Sequence, residues 1–401
     1  MLATTLLPLM LAAVSPAVGQ DFTMRPSGAW RGIRFQEARE FSTTGVVSRL
    51  EMSLYNRGDD KTEAGMSKAE LRTLLDKVVA ELDPQGKPPP VEKRKVRSGG
   101  LEFSQRWPKL VPSAELVWGV TGETVDFVRL TLDTAPAKPK TGAAPVAGNV
   151  AKAKVKANVV KEPSGDVRID NVPMVDQGQK GYCAVAASER VLRYYGVDVD
   201  EHEIAQAAGT SAEGGTSTRG MKDSVQAIGR KYKLATVVTY GDFENPAGER
   251  IAGLMKEVAN YNKAAKKLKK KEIAEDVYIR REGNTIYYSY RDADAAMDPE
   301  VLRDMKVNGA QRSKFTRFMK DVRDQVNKGI PLFWGVTLGT YPEPESPQSR
   351  GGHIRLIIGY NDRKKEILYT DTWGAGHELK RMPAEWAWTI SHCLLYMKPL
   401  R

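Results

Sequence analysis

The chain has 401 residues, of which 41% are hydrophobic and 28% charged, with a formal net charge of +11. That length allows two or three domains with real cores, and that composition excludes a disordered chain. Past the N-terminus no apolar run approaches the roughly 20 residues of a membrane span, and the positive charge comes without a nucleic-acid motif or interleaved aromatics, so neither a span nor nucleic-acid binding is expected.

Residues 1–19 read as a secretory signal peptide. Leu6 to Val14 is mostly apolar and Ala17-Val18-Gly19 is a small-residue cleavage pattern, although no Lys or Arg precedes the apolar run. A secreted or periplasmic protein is expected. Residues 20–133 read as a small α/β N-terminal domain. Ser67-Lys68-Ala69-Glu70 is a capping box. Leu71, Leu74, Leu75, Val78, Val79 and Leu82 follow at helical spacing, and Pro84 and Gly86 end that helix. Glu115–Val120 and Thr124–Leu132 are expected strands joined by a turn. This domain shows no cluster of His, Cys or paired acids, which points to a helper, pro-region or substrate-docking role. Residues 134–165 lack aromatics and bulky apolar side chains and read as a flexible Ala/Pro/Lys linker.

Residues 166–401 form the larger domain. A helix is expected over Ala184–Tyr195, ended by Gly196, with others near Asp200–Ala208, Arg219–Lys231, Ala247–Ala274 and Ser313–Lys328. Strands are expected at Leu234–Tyr240, Leu332–Leu338, His353–Tyr360 and Glu366–Thr370. Val277–Ile279 and Thr285–Tyr290 flank Gly283-Asn284 as a hairpin. Helices precede strands, so the fold class is α+β. Six lysines crowd into Lys263–Lys271 and read as the wet face of the long helix rather than a patch for an acidic polymer.

Three stretches carry chemistry. In Asp176-Gln177-Gly178-Gln179-Lys180-Gly181-Tyr182-Cys183 a glycine-broken loop runs into a cysteine where a helix begins. Helix N-termini favour negative charge, and the thiolate is the nucleophile. In Arg350-Gly351-Gly352-His353 a histidine opens an apolar strand after two glycines, which leave room for a substrate backbone. An imidazole so placed suits a general base. In Thr370-Asp371-Thr372-Trp373-Gly374 an acid follows the hairpin partner of that strand, where it could accept the imidazole N–H; Trp373 could shield that bond. The other cysteine, Cys393, lies in an apolar stretch and is expected as a buried free thiol rather than a disulfide partner.

In order and spacing these residues resemble papain-like cysteine peptidases. The resemblance implies a papain-like domain, with a helical part and an antiparallel sheet, over residues 166–401. It also implies Cys183 as nucleophile, His353 as base, Asp371 as its orienting acid and Gln177, six positions before the cysteine, as oxyanion donor. Gly181, Tyr182, Gly351, Gly352 and Trp373 would border the substrate cleft. The bacterial branch that includes double-glycine leader (bacteriocin-processing) peptidases is the most similar: it uses aspartate as third member and places Val-Pro-x-x-x-Gln before the cysteine, as in Val172–Gln177. The Cys-Gly-Ser-Cys-Trp context of papain is absent. The implied partner is a peptide or protein substrate, with no metal and no cofactor. Amidase action on cell-wall peptides or acyl transfer by the same triad, and a non-catalytic binding module, are the alternatives.

Overall fold

The computed structural model describes residues 23–25, 27–43, 46–57, 65–95, 100–134, 155–175, 177, 183–197, 199, 204, 218–241, 247–283, 285–344, 351–374 and 376–399. The expected signal peptide, the site candidates Gly181 and Tyr182, and all of the expected helix Asp200–Ala208 except Ile204 lie outside the described residues. Every strand pairing among them is antiparallel, and with the helices this gives an α+β chain.

The first unit contains β1 (Thr23–Arg25), β2 (Gly28–Trp30), β3 (Ile33–Phe35), β4 (Glu37–Thr43), β5 (Val46–Asn56), α1 (Lys68–Leu82), β6 (Glu92–Lys95), β7 (Leu101–Trp107), β8 (Ser113–Thr121) and β9 (Thr124–Asp133). Seven of these strands form one sheet in the order β1-β4-β5-β9-β8-β7-β6. Among the described residues a single helix covers it, so the expected α/β domain is corrected to an antiparallel sheet with one helix. The capping box forms: Ser67 Oγ accepts from Glu70 N at 3.2 Å and Glu70 Oε2 accepts from Ser67 N at 2.8 Å. It starts α1 so that Leu71, Val78 and Leu82 are buried against Leu50, Met52, Leu116 and Leu130. Each such side chain contributes about 1.5–3 kcal/mol by leaving water.

The second unit contains β10 (Val159–Lys161), β11 (Asp166–Ile169), α2 (Cys183–Tyr194), α3 (Thr218–Lys231), β12 (Leu234–Tyr240), α4 (Ala247–Lys267), β13 (Ile279–Glu282), β14 (Thr285–Tyr288), α5 (Tyr290–Ala296), α6 (Pro299–Val307), α7 (Arg312–Val326), β15 (Leu332–Leu338), β16 (Gly351–Asn361), β17 (Glu366–Thr370), β18 (Lys380–Pro383), α8 (Ala384–Ile390) and β19 (Ser391–Pro399). Its sheet runs β10-β11-β16-β15-β19-β12, with β17 also paired to β16 and β18 to β17. The 11-residue β16 is the hub, pairing with β11, β15 and β17. Residues 155–165, expected as linker, instead belong to this unit: Val155 is buried in its core and β10 pairs with β11.

Helix α4 stops earlier than expected. Lys269 adopts φ 56°, Lys270 N–H donates to Ala265 O and Lys269 N–H to Lys266 O, closing a left-handed C-terminal motif. Lys269, Lys270 and Lys271 therefore follow the helix rather than line its face. Helices α4, α5 and α6 with the β13–β14 hairpin bury their own core around Leu254, Tyr261, Ile279 and Val301. Buried Lys306 on α6 anchors this excursion to the end of α8, donating to Thr389 O at 2.7 Å and Ser391 O at 3.2 Å.

Candidate active site

Cys183 is the first residue of α2 and is almost fully buried. The free N–H groups of a first helical turn and the helix dipole both favour negative charge there. Seven residues on, Arg190 returns to the same side of the helix. It donates to Pro173 O at 2.7 Å, to Thr370 Oγ1 at 2.6 Å and to Asp371 O at 2.5 Å. One guanidinium thus holds the cysteine helix, the segment before it and the end of β17 together. Burial pulls the Arg190 pKa down to about 10, opposed by the charges of Asp371 and Glu378.

His353 is the third residue of β16, opposite Val336 on β15. Its Nε2 lies 2.5 Å from Asp371 Oδ1, and the Cys183 thiol stands near enough to the ring to help raise its pKa. Trp373 stacks on the imidazole, with ring centroids 4.3 Å apart and planes within 8°, covering the His353–Asp371 bond on that side. Burial by itself lowers the His353 pKa. The Asp371 charge and the hydrogen bonds to Asp371 and Cys183 outweigh it and raise the pKa to about 9. Burial raises the Asp371 pKa in turn, but His353, Arg355 and the Thr372 N–H bring it down to about 2. At neutral pH the pair is an imidazolium and a carboxylate.

Gln177 is bound twice by Thr372. Its N–H donates to Thr372 O at 2.8 Å, and its side-chain Oε1 accepts from Thr372 Oγ1 at 2.5 Å. With Oε1 accepting, donation from this amide falls to Nε2. Gly351 and Gly352 are exposed, and a Cβ added at either meets nothing within 4 Å. The structure therefore brings together Cys183, His353, Asp371, Gln177 and Trp373, with the two glycines at the open start of the histidine strand.

Cys393 is buried and free, as expected. Burial pushes its pKa up to about 12, against a backbone hydrogen bond with Gly335. A Cβ on Gly335 would lie 2.3 Å from Cys393 Sγ, so a glycine is needed beside the thiol.

Sequence reasoning missed Arg190, Thr372, Arg355 and Glu343. The signal was there for two of them: an arginine on the apolar side of α2 and another inside the apolar run of β16 cannot sit unpaired in a core. Arg355 Nε lies 2.7 Å from Asp371 Oδ2, an ion pair outside hydrogen-bond alignment.

A cysteine opening a helix, beside a histidine on an antiparallel sheet that is itself bonded to a buried carboxylate, is the layout that thiol nucleophiles use. The model of the Peptidase_C39 like family matches residues 169–271 and 249–394, more than half of the chain, and the chain belongs to that family. The two matched stretches overlap over 249–271, along most of α4 and the lysines that follow it, where the excursion begins. No curated protein matches the chain.

Proposed function

We propose that this protein is a cysteine peptidase that cuts peptide bonds through Cys183, His353 and Asp371. The Cys183 sulfur attacks the carbonyl carbon. His353 holds the thiol proton and passes it to the leaving amine, and water then hydrolyses the thioester. Asp371 fixes the ring and balances its charge. Gln177 Nε2 and the Cys183 backbone N–H donate to the oxyanion, each such donor contributing roughly 3–4 kcal/mol in related chemistry. The reading rests on one observation above all: Cys183 beside His353, and His353 hydrogen-bonded to Asp371, with the sulfur at a helix N-terminus. The open flank at Gly351 and Gly352 fits an extended peptide backbone, so the substrate is a peptide or protein, and the residues need no cofactor for this chemistry. The N-terminal apolar run supports secretion as part of the same proposal.

Cys183→Ala is the test. It is expected to abolish turnover while the thermal midpoint barely moves; retained turnover overturns the proposal. Labelled peptidoglycan digested beside a denatured protein separates a cell-wall amidase from a peptidase. A Cys183 that alkylates no faster than free cysteine near neutral pH identifies a non-catalytic binding module.

A further inference from the structure

We propose that Arg355 is the positioning residue that keeps Asp371 an oriented carboxylate, with Glu343 and Tyr369 holding Arg355 in turn. The inference rests on the reading of Cys183, His353 and Asp371 given above. Arg355 stands two residues after His353 on β16, so both side chains leave the same face of the strand. It is wholly buried. Its Nε lies 2.7 Å from Asp371 Oδ2 and its Nη1 donates to Glu343 Oε1 at 2.9 Å. The Tyr369 hydroxyl donates to Glu343 Oε2 at 2.5 Å. The guanidinium carbon lies 4.9 Å from the Tyr369 ring centroid and 5.9 Å from that of Trp334.

The two oxygens of Asp371 have separate duties. Oδ1 accepts from His353 Nε2 and from Thr372 N–H. Among the described residues Oδ2 receives no hydrogen bond, and it faces Arg355. The rings of Trp334 and Tyr369, themselves 5.5 Å apart, flank the guanidinium. A buried carboxylate oxygen with no hydrogen bond takes up a proton unless a cation stands beside it. Arg355 supplies that cation, and Glu343 balances it, so charges alternate in sign from His353 through Asp371 and Arg355 to Glu343. Burial pushes the Tyr369 pKa up, which keeps it a phenol able to donate to Glu343. The other groups around Asp371 do not reach Oδ2. Arg190 on α2 binds its backbone carbonyl, and the His377 carbonyl accepts its N–H at 2.9 Å.

A neutral Asp371 no longer favours an imidazolium. Loss of Arg355 therefore registers at His353, which titrates whether or not the protein turns over a substrate. The experiment is a 15N–1H NMR titration of His353, assigned with His353→Gln, in the full-length wild type, R355M, R355K and the double variant R355M/E343Q. R355M is expected to weaken proton binding at His353 by roughly tenfold or more, and R355K to stay within about half a pH unit of wild type. The double variant removes a balanced pair and leaves no uncompensated Glu343, so it decides the matter if R355M alone does not fold; it is expected to behave as R355M. A His353 titration unchanged in R355M and the double variant, or R355K falling with R355M, overturns the proposal. A wild type without turnover but with the expected shifts sinks the peptidase reading and leaves this one standing.

Discussion

Arg39 on β4 forms a buried ion pair with Glu189 on α2, Nη1 to Oε1 at 2.9 Å, with side chains 5% and 0% exposed. Ala38, its neighbour, points into the core of the N-terminal sheet. The opposite face of that strand thus reaches the helix that Cys183 opens, six residues before Glu189. Arg193 also pairs with Glu189, at 3.0 Å. The N-terminal unit is fastened to the site rather than merely tethered to it. Arg39→Met is expected to lower unfolding free energy by on the order of 3 kcal/mol, because it strips a buried carboxylate of one partner. Chemical denaturation of the full chain measures this. The isolated fragment 155–401 is expected to unfold earlier and to turn over more slowly than the intact protein; equal stability and activity would restore a removable pro-region.

The raised pKa of His353 gives stability and activity a shared alkaline edge. A pKa raised from 6.5 to about 9 means the folded state binds the proton more tightly. Its stabilisation is complete below pH 6.5 and is lost as pH climbs through about 9. Asp371 acts in the opposite sense: lowered from 3.8 to about 2, it stabilises above pH 3.8 and fails as pH falls toward 2. The thermal midpoint plotted against pH is therefore expected to be highest between those limits. The rate at saturating substrate should fall near pH 9, when the proton for the leaving amine is gone. The two groups titrate as a pair, so His353→Gln is expected to remove the alkaline edge and to move the acid edge upward, while Arg355 and the Thr372 N–H keep part of it.

Thr372 orients Gln177, and this separates two effects in kinetics. Gln177→Ala is expected to lower kcat by about 10²–10³, as loss of one oxyanion donor does. Thr372→Val leaves the amide but frees it to rotate. A smaller fall in kcat with little change in KM is expected, and the same fall in both variants would mean that Thr372 acts by another route.

The two thiols differ in access. With Cys393 buried and its pKa at about 12, native protein is expected to take up one equivalent of alkylating reagent, at Cys183, and unfolded protein two. Gly335→Ala is expected to destabilise the fold by about 1–3 kcal/mol through overpacking against Cys393 and His392. Adding Cys393→Ala should recover part of that loss in the same melting assay.

Strands bounded by strong turn signals were legible. Leu234–Tyr240, Leu332–Leu338 and Glu366–Thr370 fold over the expected residues, because each is a short apolar or β-branched run with a stop at either end. The N-terminal sheet was legible only in part: β8 and β9 form over the strands expected at Glu115–Val120 and Thr124–Leu132, whereas its first strands were not read. β5 is buried on both faces from Leu50 to Asn56, and polar residues such as Glu51 and Ser53 fill its second face, so period-two alternation disappears. β19 was read as a plain apolar stretch because an all-buried strand and a buried helix look alike by hydrophobicity. At the site, chemistry-bearing residues could be named from spacing, whereas Arg190, Thr372, Arg355 and Glu343 could not. Their roles depend on partners 12 to 195 positions away, a distance no local pattern spans.

Arg190 joins residues that are 17, 180 and 181 positions apart. During synthesis the thiol leaves the ribosome long before the strand bearing its histidine, and longer still before the acid. Until the last sheet strands fall into place, the cysteine helix has no clamp and its sulfur no base. The timing of chain growth is thereby a safeguard: a nascent or prematurely ended polypeptide carries an inert thiol.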